Sequence, residues 1–534
     1  MGTRHQDICS RLQHDEGTRT IRASPHITYE PPTFEASPLP HSPLMTSDRL
    51  PLFDTDSGFE HEPPFLGQGQ AGGGAHLSVV GQGTQDSDSW HSGIDDEANQ
   101  PDPDMQFIMN LPPNTYNPNG TNTFYTVFLI VNAALGAGLL NFPKAFDDAG
   151  GVGVAISVQA LLMFFIVLAL LILAFTADQN LANTIQEAME SAAGVWGRRV
   201  TSLIVVLYTF GTTITFIIII GDQFDRGFAS MVGPDFCHYW YMDRRFTMTF
   251  SSVLLILPLC YSKRIDFLRI PSTVGVIAIL YIVGLIVYEY FFGDFVPGPI
   301  KTSPSQWTDV FLVVPDICFG YQCHVSVIPI YSCMKHRTLK QFSIASTVAI
   351  IICAFCYTVA ATFGYLTFGS LVDDDILMSY SASRPEVFVA VLAMALKTYT
   401  TYPILLFCGR EAINSLVSDF YRLTERQEVI LRVSVVSVWF LLSLVLAVVI
   451  PNIGDIIKIL GSLAAVFIFT LPGLGLLQYA HRSDPSCFLF RTKVFLVTSF
   501  VFSFLGAFIF GVVLTQGIQY NIMDTGLGPK PLCV

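Results

Sequence analysis

Two stretches of the chain carry residue types that a plain apolar helix has no use for. The first reads Val131-Asn132-Ala133-Ala134-Leu135-Gly136-Ala137-Gly138-Leu139-Leu140-Asn141-Phe142-Pro143. The second reads Pro315-Asp316-Ile317-Cys318-Phe319-Gly320-Tyr321-Gln322-Cys323-His324. Glycine and proline interrupt a helix, and an interrupted helix frees backbone N–H groups for a carboxylate and carbonyls for a cation. An amino acid zwitterion presents both a carboxylate and an ammonium. The breaks therefore suit amino acids better than sugars, which need a polar side-chain lining. Small residues also permit close helix packing, which would suffice for a lone Gly-x-Gly, but here the interruption occurs twice.

The elements that must position these breaks are long apolar runs. Crossing a ~30 Å hydrocarbon core takes roughly 20 apolar residues as helix. Eleven such runs follow residue 120, at about 123–146, 151–177, 199–221, 245–261, 270–292, 307–331, 341–367, 386–408, 431–450, 453–480 and 494–517. None alternates apolar and polar residues as a porin strand would. The breaks fall in the first and sixth runs, five apart, which is the mark of an inverted repeat with two discontinuous helices. The predicted fold is an all-α polytopic membrane protein.

Composition agrees. Charged residues make up 13% of the 534, hydrophobic residues 51%, and mean hydropathy is +0.51; ordinary soluble proteins carry about 25% charge. The net charge of −13 belongs almost wholly to residues 1–120, which hold 17 acidic against 5 basic residues. That segment strings together Pro, Gly, Ser, Asp and His with no sustained apolar run, so it reads as a disordered tail without a signal peptide. Asp86-Ser87-Asp88-Ser89 is a candidate phosphorylation patch, and Asp48-Arg49-Leu50-Pro51-Leu52 is an acidic dileucine signal broken by Pro51. Residues 121–518 form the predicted membrane domain and 519–534 a short tail. Without a basic patch, nucleic-acid binding is excluded.

With the tail cytosolic, the links after the even-numbered runs face the cytosol. They carry most of the Lys and Arg, including Arg198, Arg199, Lys263, Arg264, Lys335, Arg337, Lys340, Arg491 and Lys493. The C-terminus is then lumenal or extracellular. Asn119-Gly120-Thr121, a glycosylation sequon, would stay unmodified beside the first run, and a glycan there would overturn this orientation. Asp373-Asp374-Asp375 reads as a solvated lumenal loop. Cys237 has Cys533 as its obvious lumenal partner for a disulfide. No P-loop, nucleophile elbow or metal-ligand His pair is present, so an enzyme is not expected.

Asn132 through Pro143 and Cys318 through His324 resemble the amino acid/auxin permease group, and in particular its sodium-coupled neutral amino acid transporters. Tyr208-Thr209-Phe210-Gly211, Ile219-Ile220-Gly221-Asp222-Gln223, Leu366-Thr367-Phe368-Gly369, Tyr402-Pro403-Ile404-Leu405, Phe407-Cys408-Gly409-Arg410 and Gly506-Ala507-Phe508-Ile509-Phe510-Gly511 extend the likeness over residues 121–518. The resemblance implies a LeuT-like 5+5 inverted repeat plus one extra helix. It also implies secondary active symport of neutral amino acids, chiefly glutamine and asparagine, from lysosome to cytosol, with the plasma membrane as the alternative residence. No cofactor is implied; sodium enters as a co-transported ion.

Carried over by position, Gly136, Ala137 and Gly138 hold the substrate carboxylate. Phe319, Gly320, Tyr321 and Gln322 shape its side-chain end, and Gln322 meets the substrate amide. Sodium would take the carbonyls of Val131 and Ala134 and the hydroxyls of Thr400 and Thr401, beside Asn132. Either threonine could instead bond its own preceding turn, Tyr321 could simply pack, and His324 is a core histidine or a pH sensor. Asp316 and Lys397 depart from the family pattern, being charged where uncharged residues are expected. The Lys397 ammonium then either pairs with Asp316 or approaches the sodium site and replaces the ion. Two alternative functions follow: a proton-coupled, sodium-independent symporter, and an amino acid sensor read through the tail by a cytosolic signalling partner.

Overall fold

A computed structural model describes residues 120–523, apart from 234–235, 262–268, 382, 422–423, 451–452 and 483–489. The acidic tail, Asn119 and Cys533 lie outside these residues. Among the described residues the protein is all-α, with one isolated β-bridge between Thr121 and Met334. Nine helical segments are long and apolar enough to cross a membrane, and a bent pair makes a tenth. The expected count of eleven includes the run at 245–261, which is shorter. It is built from α5 (Arg244–Ser251), a π turn (Ser252–Ile256) and α6 (Leu257–Cys260).

The first break is real. α1 (Thr123–Ala134) ends where Leu135 turns extended, and α2 (Gly138–Asp148) restarts at an angle of 62°. The second lies between α8 (Val314–Gly320) and α9 (His324–Ser332), across Tyr321, Gln322 and Cys323. α3 (Val152–Asn180) follows the first break. α4 (Ile185–Val232) kinks at Ala193 and Gly194, where Gly194 takes φ +66°. α7 (Arg269–Phe292) precedes the second break, and α10 (Leu339–Phe368) packs along both halves of the first.

After the one-turn helix α11 (Ile376–Ser379), α12 (Pro385–Ser418) packs on α4 and α7. α13 (Glu425–Val449), α14 (Ile453–Ala465) and α15 (Leu471–Arg482) follow. The last helix, α16 (Phe490–Met523), runs past the expected boundary at 518. Phe164, Phe355, Leu441 and Phe504 point outward and are exposed. Such a surface suits hydrocarbon, which explains why so few charges are needed.

Candidate functional site

The two breaks cross. A Cβ on Gly138 would lie 2.9 Å from the Gly320 Cα, and a Cβ on Gly320 would lie 2.6 Å from Phe142. Only glycine allows the two backbones this close. Beside the crossing is a cavity of about 260 Å³. Ala134, Leu135, Gly136, Ala137 and Gly138 line one wall, and Phe319, Gly320, Gln322 and Cys323 another. Tyr208, Thr212 and Phe216 of α4, Tyr357 of α10 and Lys397 and Thr401 of α12 complete it. The cavity extends toward the end of the bundle where α1 begins, since Leu129, Ile330 and Cys408 also line it.

Tyr357 holds the breaks together. Its hydroxyl lies 2.8 Å from the Ala134 carbonyl and 2.9 Å from the Gly320 carbonyl, and accepts the Gly136 N–H at 3.4 Å. One O–H proton thus serves a carbonyl from each broken helix, while its ring stacks on Phe142 at 4.3 Å. No motif or spacing marked this residue; the available signal was that a tyrosine inside an apolar span must find a polar partner. Tyr357→Phe leaves both carbonyls short of a donor, which costs about 1–3 kcal/mol for a buried group. We expect uptake at least about tenfold lower at unchanged surface expression.

The sequence-predicted residues divide. Gly136, Ala137, Gly138, Phe319, Gly320 and Gln322 reach the cavity wall, as do Asn132, Ala134, Lys397 and Thr401. Tyr321 is buried off the wall, its hydroxyl accepting from Gln159 Nε2 at 2.6 Å. Val131 and Thr400 also lie off the wall. The Val131 carbonyl accepts the Leu135 N–H at 2.7 Å, and the Thr400 and Thr401 hydroxyls donate to the Lys397 carbonyl at 2.9 and 2.7 Å. His324 is fully buried with Nδ1 3.0 Å from Gln322 Oε1.

The expected pairing of Asp316 with Lys397 does not form. Asp316 accepts from Asn141 of α2, beyond the crossing, whereas Lys397 Nζ donates to Asn132 Oδ1 of α1 at 3.1 Å. The crossing itself separates them, because α8 meets α2 on one side of it and α12 meets α1 on the other. Gly275 of α7 makes the slot for the lysine stem: a Cβ there would lie 2.5 Å from Lys397 Cδ. The ammonium thus lies against Asn132, one of the residues that the resemblance puts beside sodium.

Asp373-Asp374-Asp375 is solvated only in part: Asp373 is exposed and Asp374 half-buried, but Asp375 is buried. Asp375 is 2% exposed, accepts from Gln223 Nε2 at 3.1 Å and caps α11 through the Leu377 N–H at 2.9 Å. A Cβ on Gly454 would lie 2.9 Å from the Asp374 carboxylate. Local sequence gave no warning, since the burial comes from α4. Nearby, Arg244 pairs with Asp222 and Asp225 at 2.6 and 2.8 Å.

Burial, then the Asp222 carboxylate, push the Asp375 carboxyl from its ordinary 3.8 up to about 7, against the nearby Arg226. A carboxyl raised in the folded state binds its proton more tightly there. Its contribution to stability is full below pH 3.8 and is lost as pH rises through about 7. Thermal unfolding in detergent should therefore occur at higher temperature at pH 5 than at pH 8. Asp375→Asn should flatten that difference.

A bundle of apolar helices, two of them broken and meeting at an internal cavity, defines a membrane carrier. The chain belongs to the family described as transmembrane amino acid transporter protein, which matches residues 119–516. It is thus a multi-pass amino acid transporter, not an enzyme.

Sodium-coupled neutral amino acid transporter 7 of Danio rerio is 40% identical over 427 residues, 77% of this chain and 90% of that protein. The Homo sapiens protein of the same name is 38% identical over 423 residues, 76% and 89% of the two chains. Solute carrier family 38 member 8 of Homo sapiens is 34% identical over 367 residues, 66% and 83%. The crystal structure of MhsT in complex with L-phenylalanine overlays with a TM-score of 0.48 at 14% identity. It covers 74% of this chain and 100% of that one, too loose a match to assign any residue a role.

Proposed function

We propose that this protein is a secondary active carrier that moves small neutral amino acids, chiefly glutamine and asparagine, from lysosome to cytosol. The observation that carries this reading is the cavity at the crossed breaks. Its walls offer helix-end backbone at Ala137 and Gly138, beside the Gly136 N–H that Tyr357 accepts, with the amide of Gln322 and one cation, Lys397, and no carboxylate among the described lining residues. The backbone suits a substrate α-carboxylate, and an uncharged amide suits an uncharged side chain. Support for the substrate class also comes from relatives named as sodium-coupled neutral amino acid transporters.

A cavity that extends toward the end where α1 begins, with ion pairs between Arg244 and Asp222 and Asp225 near the C-terminal end of α4, fits one end state of alternating access. The Lys and Arg bias makes the α1 end cytosolic. For coupling, Lys397 Nζ on Asn132 favours the sodium-independent reading. There a fixed ammonium stands where the resemblance puts sodium, and the lumenal proton gradient supplies the drive. The test is radiolabelled glutamine uptake into proteoliposomes with sodium and pH gradients imposed separately. Uptake under one of them is expected, and no glutamine or asparagine flux under either would remove the reading.

A further inference from the structure

Asp316 of α8 lies beyond the crossed breaks from the cavity, on the side that the Lys and Arg bias makes lumenal. It is 2% exposed and accepts from Nδ2 of Asn141 on α2, itself 2% exposed. The other end of that amide, Asn141 Oδ1, is buried and has no hydrogen-bond partner among the described residues. An ionised carboxylate only accepts, so it cannot serve that oxygen; a protonated carboxyl adds an O–H donor beside it. A carboxylate at this depth is also costly, and a buried acid avoids that cost by taking up a proton.

The charges around Asp316 do not neutralise it. Lys458 of α14 is the cation that acts on it, yet Lys458 forms an ion pair with Asp148 Oδ2, at 3.9 Å. Asp148 and Asp374 add negative charge on the same side, and Cys318 shares the helix. Asp309, in the turn Trp307–Phe311 that also packs on α8, is engaged by the Gln306 N–H at 2.7 Å. α3 and α16 pack on α8 too and, among the described residues, bring no charged side chain to this level.

A file of ionisable groups leads from this pair to the surface. Lys144 Nζ reaches Asp148 at 3.5 Å and Asp147 at 3.4 Å. Lys301, whose side chain is 39% exposed, reaches Asp147 at 3.1 Å. We propose that Asp316 is the binding site of the proton co-transported with the amino acid, held between its carboxyl and Asn141 while α2 and α8 are in contact. Lumenal water supplies the proton to the carboxylate along this file, and parting of α2 and α8 releases it toward the cytosol. One proton and one zwitterion cross together, so each cycle moves one positive charge. This rests on the proton-driven reading above and names the residue that performs the coupling.

The test uses the full chain in sodium-free proteoliposomes, with the membrane potential clamped by potassium and valinomycin. For one proton per substrate, an outside one pH unit more acid supports up to about tenfold accumulation of labelled glutamine. The wild type should accumulate it. Asp316→Asn, whose neutral amide stands in for the protonated carboxyl, should not accumulate it above the outside level. At equal pH it should still exchange external labelled for internal unlabelled glutamine at a measurable rate. Accumulation in Asp316→Asn equal to the wild type would overturn the assignment.

If Asp316→Asn does not exchange, Asp316→Ser is read in its place. Loss of exchange in both also overturns the proposal, because a group that only carries the proton is dispensable for exchange once it is neutral. A wild type that accumulates glutamine under a sodium gradient and not under a pH gradient would remove the proton-driven reading itself, whatever the variants do.

Discussion

Lys397→Ser should convert the sodium-independent glutamine uptake proposed above into sodium-dependent uptake. In the native protein the lysine is 3% exposed, and its ammonium donates to Asn132 Oδ1 at 3.1 Å while its stem fills the slot left by Gly275. A charge inside a membrane protein costs about 2.5–3.5 kcal/mol and is kept only where it has work to do. Here it supplies a fixed positive charge beside the first break, in the wall of a cavity that Ala134 and Thr401 also line. Serine removes the charge and leaves an oxygen-rich vacancy that a sodium ion can enter.

Loss of a charge-assisted hydrogen bond of about 1.5–3 kcal/mol should lower sodium-free flux by about tenfold to a hundredfold. Sodium should bring the flux back. Wild-type uptake should be equal in sodium and choline media. If the serine variant responds to sodium no more than the wild type does, the lysine does not stand in for the ion. Gly275→Ala is a milder form of the same experiment, because its Cβ would press on Lys397 Cδ at 2.5 Å without removing the charge.

The second large effect separates two glycines of one motif. Gly138→Ala should abolish transport and lower thermal stability, since its Cβ would meet Gly320 backbone at 2.9 Å and neither backbone is free to move aside. Overpacking of this kind costs about 1–3 kcal/mol. It would also shift the Ala134 and Gly320 carbonyls that Tyr357 joins. Gly136→Ala should leave thermal stability unchanged, because its Cβ would meet nothing within 4 Å. That open space is the cavity, so the methyl should raise KM for glutamine. Equal thermal stability of the two variants would show that the crossing does not depend on Gly138.

Much of the architecture was legible without coordinates. Ten of the eleven predicted runs form helices or bent pairs long enough to span, and both breaks fall within the two marked stretches, beside Gly136 and Gly320, while Pro143 and Pro315 sit inside helices. These features are written locally: span length follows from the thickness of hydrocarbon, and a helix break follows from residues within one turn. The segregation of negative charge into residues 1–120 is likewise a property of composition.

The partners inside the bundle were decided by tertiary structure alone. Asp316 and Lys397 looked like a pair because opposite charges in a membrane seek each other, yet the crossing of the breaks gives them separate partners, Asn141 and Asn132. Asp375 looked solvated because its neighbours are acidic, yet α4 covers it. Nothing in the sequence marked Tyr357, whose hydroxyl is where two carbonyls from distant parts of the chain meet. In each case the outcome depends on how helices rotate and cross. That is set by packing between segments tens to hundreds of residues apart, whereas spacing along one helix reports only which residues share its face.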